Sequence, residues 1–447
     1  MKRELVPNRN INGEITVPGD KSIAHRAALL SILSSGPVTA VNYPDNSDCR
    51  VTLEAVRKFG VEIEQNDNAV VFKPPHQIKL PDDTIIDCGN SATTARLLAG
   101  LVAGSTMEVI LSGDDFLSRR PMMRLVTPLK EMGAELFDQE GCLPLKIKGK
   151  KLLPFEYRLP VPSAQVKSAL ILAALASRCS LLIREDTLTR DHTEIMLGQI
   201  GEGIAVREIK ASMVPDPKDP RKKKVFMPED FKKEIKLTSG ARVKGGLVDI
   251  PGDISTAAFF MAAAAIGRGT LTIKNLGLNP TRTAFLEHLK AIGCKVEIKD
   301  KTTLSGEARG QVTVTGGTLK ARKVAGETTV GLIDEIPVVA VMAAFAEGTT
   351  VIRDARELKV KESDRLAATA ANLQRMGVKC GLLDDGLVVE GTTELPGADF
   401  SSFGDHRIAM AFSIAALFLE GPSSLDDDSV VAVSCPEFYN LLESIKA

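Results

Sequence analysis

The chain has no charge of either sign to spare: 56 Lys and Arg stand against 57 Asp and Glu over 447 residues, a formal net charge of -1. That balance argues against a nucleic-acid or membrane-surface partner. Cysteines are few, odd in number at 7, and never spaced Cys-x-x-Cys, so neither a disulfide framework nor a zinc site is indicated, and a reduced cytoplasmic setting is expected. Apolar runs such as Ile408 to Leu419 fall short of a bilayer span, and the polar start Lys2-Arg3-Glu4 shows no export signal. No G-x-G-x-x-G follows a strand pattern, no H-E-x-x-H occurs, and the 5 His are not paired at ligand spacing, which argues against dinucleotide and zinc chemistry. Gly19-Asp20-Lys21-Ser22 ends like a P-loop, but Lys does not follow Gly directly and Gly13 lies one residue too far upstream.

What the chain does have is a recurring pattern, a short polar cluster opening onto an alanine-rich apolar run. The clusters are Pro18 to Arg26, Gly89 to Arg96, Pro162 to Lys167, Pro251 to Thr256, Asp334 to Pro337 and Gly404 to Arg407. Each run has the length of a buried helix, and each cluster holds an Asp, Ser, Asn or Thr suited to an N-cap. A helix start exposes unpaired N-H groups and a partial positive charge, which suits anions. Lys21, Arg26, Arg96, Lys167 and Arg407 fall in these first turns, where the macrodipole disfavours cations, so they mark a site that holds negative charge.

A second pattern repeats in the same order: an amphipathic helix ending at Gly, then a strand. Gly60, Gly133, Gly293 and Gly377 close four copies, Ile195 to Val206 is a weaker copy, and Phe438 to Lys446 is truncated. The spacing predicts an α/β (α+β) fold of six βαβαββ-type units around buried helices. Pro-Gly-Asp at both 18 to 20 and 251 to 253 divides them into two similar domains of three units. The expected boundaries are 20–251 for one domain and 1–19 with 252–447 for the other, the chain crossing a hinge near 19–20 and again near 250–252. Within the first nineteen residues only Ile15-Thr16-Val17 reads as a strand, completing the second domain's sheet. The basic stretch Lys218 to Lys224 reads as a solvated loop inserted in the third unit.

The clusters together resemble the 5-enolpyruvylshikimate-3-phosphate synthase family. Pro-Gly-Asp-Lys-Ser-Ile-Ala-His-Arg, Gly-Asn-Ser-Ala-Thr-Thr-Ala-Arg, Arg-Pro-Met, Ser-Ala-Gln-Val-Lys-Ser, Arg-Asp-His-Thr-Glu, Asn279 to Thr283, Ile-Asp-Glu-Ile-Pro, Val-Lys-Glu-Ser-Asp-Arg and Gly-Asp-His-Arg occur in one order over essentially the whole chain. The resemblance implies the enolpyruvyl transferase fold and transfer of the enolpyruvyl group of phosphoenolpyruvate to the 5-hydroxyl of shikimate 3-phosphate. It implies addition and then elimination of phosphate, with no metal or cofactor and as a monomer. It assigns Lys21, Ser22, Arg26, Ser163, Ala164, Gln165, Arg190, Asp334 and Lys361 to shikimate 3-phosphate. For phosphoenolpyruvate it assigns Lys21, Asn90, Ala92, Thr93, Arg120, Gln165, Arg365, His406 and Arg407, the arginines as bidentate clamps. Asp334 is expected to accept the 5-hydroxyl proton, Glu362 to exchange protons at C3, and Lys21 to assist departing phosphate. Asp405 and His406 are expected to orient Arg407.

Two positions depart from many relatives. Ala92 stands where Gly is common and adds a methyl to a tight anion pocket, which implies weaker binding of the inhibitor glyphosate. Ala432 to Pro436 lacks the Lys that some relatives place there. The sister transferase acting on UDP-N-acetylglucosamine opens with Lys-Asn and carries a reactive Cys. This chain has Lys21-Ser22 and a Cys-free segment from Gly113 to Arg120. A purely anion-binding protein would not need carboxylates such as Asp334 and Glu362 beside its ligand.

Overall fold

An alanine-rich run without a polar face is stable as a helix only when it is covered on all sides. Six such helices are buried, three in each of two apolar cores: Lys21–Ser31, Ala92–Ala103, Ala164–Ser177, Ile254–Gly267, Ile336–Ala344 and His406–Ala416. The computed structural model describes residues 1–446 apart from 79, 211, 217, 218, 227 and 394, with the backbone alone at 213–216 and 219–226. Among the described residues no helix is long and apolar enough to cross a membrane.

Around each buried helix the strands form a small sheet of one design. In the second unit Thr84–Asp87 pairs parallel with Glu108–Ser112, which pairs antiparallel with Cys142–Lys148, which pairs antiparallel with Glu135–Gln139. The first, third, fourth and fifth units repeat this order. In the sixth, the chain passes from Ser423–Leu425 to the last helix, Phe438–Ser444, without a hairpin. There Arg3–Leu5 pairs antiparallel with Ser423–Leu425 in the hairpin's place. This strand was not expected from the sequence, because three residues are too few to show alternation.

The outer helices end as anticipated, with Gly60, Gly133, Gly293 and Gly377 at φ of 85°, 97°, 111° and 81°. The weaker copy differs: His192–Ile200 runs directly into the strand Gly201–Glu208, with Gly201 extended. The basic stretch also departs from the loop expected of it. Ser212–Asp216 and Asp219–Phe226 pair as an antiparallel ribbon, while Lys218 lies outside the described residues.

Two edge strands are exchanged between halves. Asn12–Thr16 precedes the first buried helix but pairs with Thr270–Gly277 of the fourth unit, while Gly246–Asp249 precedes the fourth buried helix but pairs with Val38–Val41 of the first. The chain therefore crosses twice between two separate apolar cores, one running from Ile23 to Ile250, the other joining Leu5 to Val17 with Ile254 to Ile445. The crossings bind each other, Asp20 N donating to Pro251 O at 2.8 Å and Asp253 N to Pro18 O at 2.9 Å.

Candidate active site

Local capping fixes the helix starts, and those near Ser163 and Asp334 line a cleft between the halves. Asp20, Ser91, Ser163, Asp253 and Asp405 each accept from a backbone N-H in the first turn, as expected of caps. The Asp334 cluster differs: Glu335 occupies the cap position of Ile336–Ala344 without a side-chain cap bond, and Pro337 follows in the first turn. Asp334 is thereby released from capping, and its carboxylate faces other side chains.

That carboxylate is the centre of the cleft. Asp334 receives Arg190 Nη2 at 2.5 Å and lies 3.6 Å from Lys361 Nζ and 3.4 Å from Arg365 Nη1, while its carbonyl accepts from Arg407 Nη1 at 3.0 Å. Burial would raise its pKa, but Lys361, Arg190, Arg407 and Arg365 together hold it well below the usual carboxylate range. Glu362 behaves likewise: burial opposes its charge, yet Arg365 at 2.6 Å and Arg120 at 3.2 Å keep it ionised to low pH. Arg120 and Arg190 belong to the first half, Glu362 and Asp334 to the second, so both pairs span the cleft.

Arg365 is held by three carboxylates and is 1% exposed. One of them is Asp405, which accepts from Arg365 Nε at 2.8 Å and caps Arg407 N at 2.9 Å. The Asp405 side chain thus orients the Arg365 guanidinium, and the Arg407 guanidinium is placed instead by Asp334 O and by Glu335, 3.7 Å away. His406 is buried, and burial, with Lys21 nearby, pushes its pKa down to about 3. Arg120 Nε and His406 Nε2 are buried and find no hydrogen-bond partner among the described residues. An unpartnered buried polar group costs about 1 to 3 kcal/mol, so such groups gather where a ligand binds.

On the first-half side, Lys21 Nζ meets Asp48 Oδ2 at 2.6 Å, and Asn90 Nδ2 donates to Asp114 at 2.8 Å. Gln165 is fixed between Thr93 Oγ1, 3.0 Å from its Nε2, and the guanidinium of Arg96. Burial, with Arg120 adjacent, lowers Arg96 to about 10. Ala92, 5% exposed, is the first residue after the Ser91 cap. Arg26 spends its donors within the chain, on Thr193 Oγ1, Ser22 O and Ser168 Oγ at 2.7, 2.8 and 2.9 Å.

A cavity of about 380 Å³ lies between the halves and is lined by Ser163, Ala164, Gln165, Arg190, Asp334 and Lys361, together with Arg124, Thr281 and Glu357. Lys21, Ser22 and Arg26 do not line it, nor do Asn90, Ala92, Thr93, Arg365, His406 and Arg407. Arg120 lines a smaller adjoining cavity with Arg96 and Lys361.

Lys167 departs from its expected place. It is fully buried against Glu185 at 3.0 Å and Glu194 at 2.7 Å, inside the first half. Sequence reasoning passed over Asp48, Arg124 and Glu357, whose spacing gives no local signal. Arg282, buried in the Asn279 to Thr283 motif, binds both crossing caps, Asp20 at 3.0 Å and Asp253 at 3.2 Å.

The sequence profile of the family EPSP synthase (3-phosphoshikimate 1-carboxyvinyltransferase) matches residues 5–442. A 3-phosphoshikimate 1-carboxyvinyltransferase of Geobacter sp. (strain M21) is 40% identical over 444 residues, covering 98% of each chain. That of Anaeromyxobacter sp. (strain K) is 42% identical over 439 residues, covering 97% of this chain and 94% of the relative. The solved EPSP synthase of Acinetobacter baumannii superposes with a TM-score of 0.80 at 33% identity, covering 100% of this chain and 98% of that one.

Proposed function

The chain belongs to the EPSP synthase family and is an enolpyruvyl transferase of the shikimate pathway, and from that premise we propose how its cleft performs the transfer. The observation that carries the reading is that Ser163, Ala164, Gln165, Arg190, Asp334 and Lys361, all assigned by resemblance to shikimate 3-phosphate, line one cavity. Lys21, Ser22 and Arg26 extend that subsite at the first helix start. Phosphoenolpyruvate lies beside it, against Asn90, Ala92, Thr93, Arg120, Gln165, Arg365, His406 and Arg407, with Lys21 touching both substrates.

In the free protein Asp334 and Glu362 are poor bases, because cations hold them ionised. Substrate phosphate and carboxylate groups compete for the same cations. As Arg190, Lys361 and Arg365 turn to substrate, the carboxylate of Asp334 loses its partners and gains basicity, so that it accepts the 5-hydroxyl proton only when both anions are in place. The oxygen then bonds to C2 of phosphoenolpyruvate while Glu362, which takes up a proton from water once Arg365 and Arg120 have turned to substrate, delivers it to C3. The Glu362 carboxylate then takes a proton back from C3, re-forming the double bond as the C2–phosphate bond breaks, with the Lys21 ammonium offsetting charge on the departing phosphate.

The two crossings serve as the hinge between domains 20–251 and 1–19 with 252–447, and closure drives water from the charged cleft. Ala92 weakens glyphosate binding by crowding the anion pocket. A monomer remains the expected state, and seven unpaired cysteines suit a cytoplasmic location.

Phosphate release from the purified chain, mixed with shikimate 3-phosphate and phosphoenolpyruvate without added metal, tests the reading. Release that requires both substrates and yields the enolpyruvyl ether is expected. Release with UDP-N-acetylglucosamine in place of shikimate 3-phosphate, or none from a folded chain, overturns it.

A further inference from the structure

Among the described residues the Lys21 ammonium has one carboxylate within ion-pair reach, Asp48 Oδ2 at 2.6 Å. Both residues are largely buried, with side chains 17% and 12% exposed. Asp48 sits in the first turn of Ser47–Lys58, where the helix dipole favours a carboxylate, and Asn46 caps that turn by accepting from Cys49 N at 2.9 Å.

The helix start is also locked to its neighbours. His25 Nδ1 and Thr52 Oγ1 lie 2.6 Å apart, Thr52 Oγ1 and Thr94 Oγ1 2.6 Å, and Thr94 Oγ1 donates to the cap Ser91 at 2.8 Å. One buried chain of polar contacts therefore registers the helices that carry Lys21, Asp48 and Ala92. The helix that carries Asp48 cannot slide past the one that carries Lys21 without breaking it.

We propose that Asp48 is a positioning residue for the transfer, holding the Lys21 ammonium charged and aimed into the cleft and releasing it to the substrate anions when they bind. The proposal rests on the role of Lys21 given above. An unpaired ammonium at this depth would tend to lose its proton and fold back among apolar neighbours, and it would then neither attract phosphoenolpyruvate nor offset charge on departing phosphate.

The other groups facing Lys21 leave this task to Asp48. Asp20, preceding it, is committed to Arg282. Arg407 from the second half opposes the Lys21 charge and Glu362 supports it at longer range. Burial keeps His25 and His406 neutral, both pushed far below the usual histidine value, and pushes the Cys49 thiol up. Burial of Lys21 itself works against its charge, yet Asp48 carries its pKa above the ordinary lysine value.

Asp48→Asn keeps the shape and removes the charge. The alkaline limb of kcat/KM for phosphoenolpyruvate is expected to move down by about one pH unit. At neutral pH the two profiles coincide, and the deficit of Asp48→Asn grows with alkalinity towards about tenfold above both limbs, while the melting temperature shows a folded protein, and Asp48→Glu restores the limb. A profile that superimposes on that of the parent protein overturns the proposal. Where Asp48→Asn does not fold, NMR of the parent with labelled lysine decides, the Lys21 signal being assigned by its loss in Lys21→Met. Titration above the free-lysine value is expected, and titration at or below it overturns the proposal. Near-parent turnover by Lys21→Met removes Lys21 from the chemistry and so sinks the underlying reading, separately from Asp48.

Discussion

Arg190 and Asp334 stand 2.5 Å apart although they come from opposite halves of the chain, 144 positions from each other. Both line the cavity, and Lys361, Arg190, Arg407 and Arg365 together hold ionised a carboxylate that burial alone would protonate. Asp334→Asn keeps the shape of the site and removes the base. Turnover is expected to fall by about 10² to 10⁴ while shikimate 3-phosphate still binds, read by phosphate release and by calorimetry. Near-normal turnover from a folded variant would mean that another group takes the proton.

Ala92 packs at the first turn of Ala92–Ala103, 5% exposed, and precedes Thr93, whose Oγ1 accepts from Gln165 Nε2 at 3.0 Å. Ala92→Gly opens the space of one methyl. Glyphosate inhibition is expected to tighten by about tenfold to a hundredfold, the equivalent of about 1 to 3 kcal/mol of overpacking relieved, with a smaller change in KM for phosphoenolpyruvate. An unchanged inhibition constant leaves Ala92 as a helix-stabilising residue and nothing more.

Acid should destabilise the protein in two stages. His25, His288 and His406 are buried and neutral, with folded pKa values depressed by burial, to about 4 for His288 and about 3 for His406. Below about pH 6.5 the unfolded chain binds protons that the folded chain does not, so each histidine lowers stability by about 1.4 kcal/mol per pH unit until its folded pKa is reached. Asp20, at about 2 because Arg282 outweighs the cost of burial, contributes stability that is present above about pH 4 and lost as pH falls towards 2. Asp334 and Glu362 add to the same low-pH loss. Urea unfolding measured from pH 8 to 3 checks both stages, and His288→Gln should flatten the first if that variant folds.

Lys167 tests the separation of core from site. With Glu185 and Glu194 beside it and no exposure, Lys167→Met leaves two carboxylates buried without their counter-charge. Stability is expected to drop by about 3 to 5 kcal/mol in urea unfolding. Any folded fraction should keep the parent's KM for both substrates, and a KM raised tenfold would return Lys167 to the substrate site.

Legibility in the sequence followed the range of the interaction. Asp20, Ser91 and Asp405 were readable as caps because a cap bonds two or three residues away, and Gly60 or Gly377 as helix ends because only local backbone geometry is involved. Glu335 broke the pattern, since the sequence does not show whether a capping-type residue bonds its own helix. Lys167 had the same local signature as Lys21, a cation in a first helical turn, and the partners that separate them are Glu185 and Glu194 for one and Asp48 for the other.

By itself the sequence determined the six buried helices, the repeated unit and the motifs that mark the family, because periodicity, capping and motif order are properties of neighbouring residues. Only the tertiary structure decided that Asn12–Thr16 takes Thr270–Gly277 and Gly246–Asp249 takes Val38–Val41 as partner strands, that Arg3–Leu5 completes the truncated unit, and that Arg120 meets Glu362 at 3.2 Å across 242 positions. Those outcomes depend on which surfaces meet when two cores pack side by side. Strand pairing and ion pairing are short-range in space and blind to separation along the chain.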